Sequence, residues 1–181
     1  MVYVLLAEGF EEIEALYTPD VLRRGGVEVM TVGVGGRVIR GSHGIAVTAD
    51  ITVEDATEIP EMLVLPGGMP GSSNLDASAE VDRLIERTHA AGGHIAAICA
   101  APFILGRRGL LRGRRATCFP GFEHELIGAT YLKDARVVTD QNVTTAVGMG
   151  AAGEFAVELL SILKGKEVAD KIASSAFISL K

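Results

Sequence analysis

The chain has 181 residues but only two cysteines, Cys99 and Cys118, no tryptophan, and 5% aromatic residues. With no C-x-x-C spacing and no spread of cysteines, neither a disulfide scaffold nor a thiolate zinc site is supported, and a reducing, cytoplasmic compartment is expected. No apolar run approaches the roughly 20 residues of a membrane-spanning helix. The start, Met1-Val2-Tyr3-Val4-Leu5-Leu6, reaches Glu8 without the basic opening and apolar length of a signal peptide. Neither a membrane nor export is therefore expected. Positive charge is scarce too: the formal net charge is −6, which argues against a nucleic-acid partner because phosphate binding needs a basic face. The one dense basic stretch, Arg107, Arg108, Arg112, Arg114 and Arg115, lies in a glycine-rich connection and reads as a solvated face. Neither G-x-x-x-x-G-K-[ST] nor G-x-G-x-x-G occurs, so nucleotide binding loses its best support.

What is present fits an ordinary globular protein. Hydrophobic residues make up 48% and charged residues 22%, which excludes a disordered chain. At this length a single domain over 1–181 is expected. Mostly uninterrupted apolar runs at Val2-Leu6, Val27-Val32, Met62-Leu65, His94-Ile98 and Arg136-Thr139 suit strands buried on both faces of a parallel sheet. Between them, Val81, Leu84, Ile85 and Thr88 recur at helical spacing, as do Ala152, Phe155, Ala156, Leu159, Leu160 and Leu163. Alternating strands and helices predict an α/β fold with a doubly wound parallel sheet. Short runs at Val38-Arg40 and Ile45-Thr48 flank Gly41-Ser42-His43-Gly44 and read as a small hairpin excursion. Pro19, with Thr18 as its N-cap, predicts a helix broken into Glu11-Tyr17 and Pro19-Arg24.

In such sheets ligands bind beyond the carboxyl ends of the strands. Three ends carry polar or permissive residues: Glu8 to Glu14, Pro66-Gly67-Gly68-Met69, and Cys99-Ala100-Ala101-Pro102. Cys99 falls between a strand and a predicted helix start, the plan of a nucleophile elbow, where backbone N–H groups stabilise a thiolate. The same residue could equally be a small buried hydrophobe. Gly67 and Gly68 could form an ordinary turn, or could let backbone N–H groups approach a substrate oxygen. Of Glu8, Glu11, Glu12 and Glu14, the last is placed to point inward while the others face water. A buried carboxyl has its pKa raised and can shuttle a proton, whereas a solvated helix start is the plain alternative. His89, His94 and His124 lack metal-site spacing and read as surface or helix-end residues, so no metal is required. Cys118 reads as a buried filler, with a resolving thiol as the alternative.

Glu14, Gly67-Gly68 and Ala97-Ile98-Cys99-Ala100-Ala101-Pro102, in this order and spacing, resemble the ThiJ/PfpI superfamily, and specifically its Parkinsonism-associated (DJ-one) branch. Leu65-Pro66-Gly67-Gly68, Thr139-Asp140-Gln141-Asn142-Val143-Thr144-Thr145 and Leu163-Lys164-Gly165-Lys166-Glu167-Val168-Ala169 extend the similarity over nearly the whole chain. The resemblance implies a flavodoxin-like sandwich, a class I glutamine amidotransferase-like domain that is usually dimeric. It implies Cys99 as nucleophile, Glu14 as its protonated partner, and oxyanion contacts from the backbone at Gly68 and Ala100. Two departures matter. Ala100 stands where the protease-like branch has a histidine, which disfavours peptide hydrolysis and amidase chemistry. Phe119 stands where some relatives keep a histidine near the thiol, which leaves Glu14 as the main acid and base. His43 aligns with an arginine that in such dimers approaches the neighbouring subunit's site, although a solvent-facing turn histidine fits equally well on general grounds.

The resemblance therefore implies a cofactor-independent enzyme acting on reactive dicarbonyls or their early glycation adducts, glyoxalase- or deglycase-like and protective under carbonyl and oxidative stress. The expected partners are a small-molecule carbonyl substrate and a second copy of the chain, joined through the hairpin and a helix face carrying Ile13, Leu16, Tyr17 and Val21. The rival expectation is a redox-sensing stress protein or chaperone whose Cys99 is oxidised without turnover.

Overall fold

The structure, a computed structural model, describes residues 1–180. In chain order the elements are β1 (Val2–Ala7), α1 (Glu12–Arg24), β2 (Val29–Val34), β3 (Val38–Arg40), β4 (Ala46–Thr48), β5 (Ile51–Thr52) and β6 (Met62–Leu65). There follow α2 (Gly71–Asp76), α3 (Ala79–Ala90), β7 (His94–Ile98), α4 (Pro102–Arg107), β8 (Arg115–Ala116) and β9 (Thr130–Tyr131). The last are β10 (Val137–Asp140), β11 (Val143–Ala146), α5 (Ala152–Lys164) and α6 (Lys166–Ser175).

The expected doubly wound sheet forms in the order β10-β11-β7-β6-β1-β2-β5. Every pairing in it is parallel except the β10–β11 hairpin at its edge. Alternate residues of each strand feed two apolar layers. Tyr3, Leu5, Ile95 and Ala97 face one side with α3 and α4, while Val2, Val4, Ala96 and Ile98 face the other with α5. Both faces being covered explains why these strands read as continuous apolar runs. The predicted stripes are the buried ones: Val81, Leu84, Ile85 and Thr88 in α3, and Phe155, Ala156, Leu159 and Leu160 in α5. The excursion is also present as the antiparallel pair β3–β4.

Two local expectations are corrected. Helix α1 is continuous through Pro19, although proline deprives the Ala15 carbonyl of its helical partner. Packing outweighs that loss, because α1 lies against α5 and buries Thr18, Pro19, Val21 and Leu22. Strand β11 has no counterpart in the sequence reading, yet it is the inner neighbour of β7. Its sequence is half threonine, and the buried hydroxyls are satisfied individually. Thr144 bonds to His94 at 2.8 Å and to Thr139 at 2.9 Å, and Thr145 accepts the Thr117 N–H at 2.9 Å.

The basic stretch is likewise not simply a solvated face. Arg107 and Arg108 both reach Asp76 at the end of α2, at 2.9 and 2.5 Å, and Arg107 also holds Glu125 at 2.6 Å. These pairs tie α2 to α4, the two helices that follow the glycine pair and Cys99. Among the described residues no helix is long and apolar enough to cross a membrane.

Candidate active site

Parallel pairing brings the carboxyl ends of β1, β6 and β7 to one edge of the sheet, and the three segments singled out in the sequence meet there. At the end of β7 the chain turns sharply. Cys99 has φ +64°, a left-handed conformation unusual for a side chain other than glycine, asparagine or aspartate. The turn is held from both sides: Cys99 N–H donates to Ala146 O at 2.9 Å, and Phe119 N–H donates to Cys99 O at 2.8 Å. Such a pinned, strained residue is a feature of functional turns. The thiol is half-buried.

From β1 the chain enters α1 through Glu11, whose side chain caps the helix by accepting Glu14 N–H at 2.7 Å. The next inward position is Glu14, which is fully buried. Its Oε2 accepts Gly67 N–H at 2.9 Å. Its Oε1 is buried without a well-formed hydrogen bond, and the polar groups that approach the carboxyl are the Cys99 thiol and the Met149 amide.

The glycine pair fits for steric reasons. A Cβ on Gly67 would lie 2.5 Å from both Cys99 Cβ and Glu14 Oε2. Gly68, at φ +90°, would drive a side chain into the Glu11 backbone. Bare backbone is what this position requires, and it leaves the N–H groups of Gly68 and Ala100 aimed at the sulfur.

The electrostatics couple thiol and carboxyl. Burial, reinforced by the Glu11 charge, pushes Glu14 up to about 7 against its hydrogen bonds. Burial, the Glu14 charge and the Glu14 hydrogen bond push Cys99 up to about 12, while the Gly68 and Ala100 N–H groups pull it down. This differs from the simple acidified thiol expected of a helix start: α4 is short, and the acid partner repels a second negative charge. The pair keeps one proton across a wide pH range, and whichever group yields it, the other holds it. A protonated Glu14 removes the repulsion and leaves the two backbone donors facing a thiolate.

The remaining residues sort as follows. Cys118 is fully buried in the layer on the opposite face of the sheet from the one Cys99 packs against, which fits a filler and not a resolving thiol. Glu12 does not face water as expected. It is buried, and burial is overcome by hydrogen bonds from the His43 side chain and backbone that hold it down to about 2. His43 Nδ1 lies 2.9 Å from Glu12 Oε2, with Ser42 Oγ 3.1 Å away, and its pKa is raised by that carboxylate. Within the chain, then, His43 braces the hairpin against α1 and is not part of the Cys99 cluster. His94 is no surface residue: it opens β7, half-buried, and burial followed by the Arg114 charge pushes it down to about 4. Gly148 and Met149 were missed. The region before α5 carries no motif, and the two are found only because β11 runs beside β7 and delivers them over the thiol.

A strained thiol at a strand-to-helix turn, opposed by a buried carboxyl on a flavodoxin-like sheet, defines an α/β cysteine–glutamate site. Residues 1–162 match the DJ-1/PfpI family, and the chain belongs to it. It is 36% identical over 179 residues to protein dj-1beta of Drosophila melanogaster, covering 97% of this chain and 96% of that protein. It is 34% identical over 167 residues to the glutathione-independent glyoxalase DJR-1.2 of Caenorhabditis elegans, covering 91% and 88%. The crystal structure of a DJ-1 superfamily protein from Salmonella typhimurium superposes with a TM-score of 0.94 at 36% identity, covering 99% of this chain and 98% of that one.

Proposed function

We propose that the protein is a cofactor-independent glyoxalase- or deglycase-like enzyme that converts reactive dicarbonyls with Cys99 as nucleophile and Glu14 as acid and base. The observation that carries this reading is the buried Glu14 carboxyl facing the half-buried Cys99 sulfur, with Gly68 and Ala100 N–H groups on the same sulfur. The kinship to a named glyoxalase agrees with it.

The steps balance without another reactant than water. The Cys99 thiolate forms a bond to the aldehyde carbon, and the carbonyl electron pair moves to oxygen, where the Gly68 and Ala100 N–H groups can receive it. Glu14, which holds the thiol's proton, gives it to that oxygen and so becomes a carboxylate; it then takes the proton from the carbon and returns it to the adjacent one while the hydroxyl proton passes to the neighbouring oxygen, which leaves a 2-hydroxyacyl thioester. Water then cleaves the carbon–sulfur bond, releasing a 2-hydroxy acid and the thiolate. Phe119 is on the Cys99 carbonyl side of the turn and carries no titratable group, so the proton traffic falls to Glu14.

A second copy of the chain, bringing its His43 to the rim of this site, is part of the proposal, as is a reducing, cytoplasmic setting in keeping with two free cysteines. A redox-sensing reading has its own support in the unpaired Oε1, since an oxidised sulfur would offer that group a partner.

The test is lactate formation from methylglyoxal by the purified protein, alongside Cys99→Ser and Glu14→Gln. Turnover that disappears in both variants is expected. Equal turnover in wild type and Cys99→Ser would remove the nucleophile and with it the reaction.

A further inference from the structure

The mouth of the site carries a large apolar side chain in a position where water is the default occupant. Phe119 is 48% exposed. It is fixed to the site by backbone, donating its N–H to the Cys99 carbonyl at 2.8 Å. A point one bond out from Gly148 Cα lies 3.3 Å from the Phe119 ring, 3.8 Å from Glu14 Oε1 and 3.9 Å from Cys99 Sγ, so ring, carboxyl and thiol open on one space. Scattered surface hydrophobes mean little, but a ring held beside a nucleophile is a different matter.

Charge points the same way. The groups that shift Cys99 most are Glu14 and two backbone amides, with no cation among them, and Glu11 adds negative charge beside Glu14. Within one chain, an anionic substrate would meet those carboxylates. A small aldehyde bearing only hydrogen or methyl would leave the ring in water.

We infer that the Cys99 site selects neutral carbonyl compounds bearing an apolar substituent, an aryl or branched alkyl group, which packs against the Phe119 ring while the aldehyde carbon meets the sulfur. The inference rests on Cys99 being the reacting group of the proposed enzyme.

Two measurements separate its failure from failure of the reaction. In the first, phenylglyoxal and methylglyoxal are compared as substrates of wild type, Phe119→Ser and Phe119→Leu. Wild type is expected to favour phenylglyoxal in kcat/KM by about 10-fold or more, the scale of discrimination one apolar pocket contact gives. The preference should sit in KM, fall toward unity in Phe119→Ser, and persist in Phe119→Leu. In the second, Cys99 is alkylated by N-benzyl iodoacetamide and by iodoacetate, with free glutathione as reference. A benzyl preference in wild type well above that of glutathione, lost in Phe119→Ser, supports the apolar rim even where no dicarbonyl is turned over. Equal or reversed preference in wild type overturns it, whatever the variants do.

Discussion

Glu14 Oε2 accepts the Gly67 N–H at 2.9 Å, a contact between residues 53 apart in sequence that joins the first helix to the turn after β6. The same glycine accepts the Glu11 N–H on its carbonyl at 2.9 Å, so both polar faces of Gly67 are taken up by the start of α1. The carboxyl is thereby fixed in place by backbone, and the thiol lies against the one side of Gly67 where a side chain would project. Sequence, turn and site chemistry depend on that missing Cβ.

Gly67→Ala is therefore expected to strike both fold and chemistry. Its Cβ would meet Cys99 Cβ and Glu14 Oε2 at 2.5 Å and Ile98 O at 2.9 Å; only Oε2 ends a flexible chain, and that carboxyl is buried and held by the Gly67 N–H itself. Overpacking of this sort costs about 1–3 kcal/mol. Urea denaturation and the methylglyoxal assay measure the two effects, and a variant matching wild type in both would show that the turn has room to spare.

Glu14 gives a pH signature in stability. Its folded pKa, about 7, stands above the ordinary value of 4.5, so the folded state binds the proton more tightly than the unfolded chain does. The stability associated with the protonated carboxyl is present below about 4.5 and is lost as pH rises through about 7. Glu14→Gln has no charge to bury and escapes that loss. Relative to wild type it should gain on the order of 3 kcal/mol between pH 4 and pH 8.5, at roughly 1.4 kcal/mol per pKa unit. Denaturation midpoints at the two pH values are the measurement; an equal difference at both would place the Glu14 carboxylate in a solvated setting.

What the sequence displayed depended on how each element satisfies its groups. Strands buried on both faces advertise themselves as apolar runs, so β1, β6 and β7 and the three segments that meet at their ends were legible, and so were Cys99, Glu14 and the glycine pair. Strand β11 was not, because Thr144 and Thr145 are buried by virtue of specific hydroxyl partners that no local pattern records. Met149 and Gly148 went unseen with it. Helix α1 shows the opposite failure: the local rule against proline was sound, and tertiary packing against α5 overrode it. The buried state of Glu12 depended on the hairpin, whose return to the helix start is a tertiary contact.

The two cysteines should differ in reactivity by access more than by acidity. Burial, joined by the Glu14 charge for Cys99 and the Glu123 charge for Cys118, pushes both up to about 12, but Cys118 is fully buried in the core and Cys99 is half-buried. Cys99 alone has backbone N–H donors on its sulfur and a partner able to accept its proton. Iodoacetamide followed by peptide mass spectrometry should modify Cys99 first across pH 5 to 8, with Cys118 labelled only after denaturation. Faster modification of Cys118 in the native protein would reassign the nucleophile.

Assembly is the last expectation, and it rests on apolar surface beside the hairpin. Ile13 and Leu16 of α1 are 48% and 36% exposed, whereas Val21, expected on the same face, is buried against the sheet and contributes nothing to it. The exposed pair lies next to the segment in which Glu12 fixes the hairpin through the His43 backbone and ring at 2.7 and 2.9 Å. A symmetric partner that covered Ile13 and Leu16 would meet this rigid corner and carry its own His43 towards the opposite site. Light scattering at micromolar concentration should return about twice the 19.0 kDa chain mass, since a stable interface commonly buries roughly 1,200–2,000 Å². Placing like charges on the face, as Ile13→Glu with Leu16→Glu, should yield monomers without unfolding, because neither side chain is part of the buried core. The Glu12 carboxylate raises the His43 pKa, so the imidazolium persists above its ordinary pH and its charge is lost as pH rises through the raised value. His43→Ala should accordingly leave the dimer intact and weaken turnover at pH 6 more than at pH 9. A wild-type protein that remained monomeric at all concentrations would end any cross-subunit role for His43 while leaving Cys99 and Glu14 as they stand.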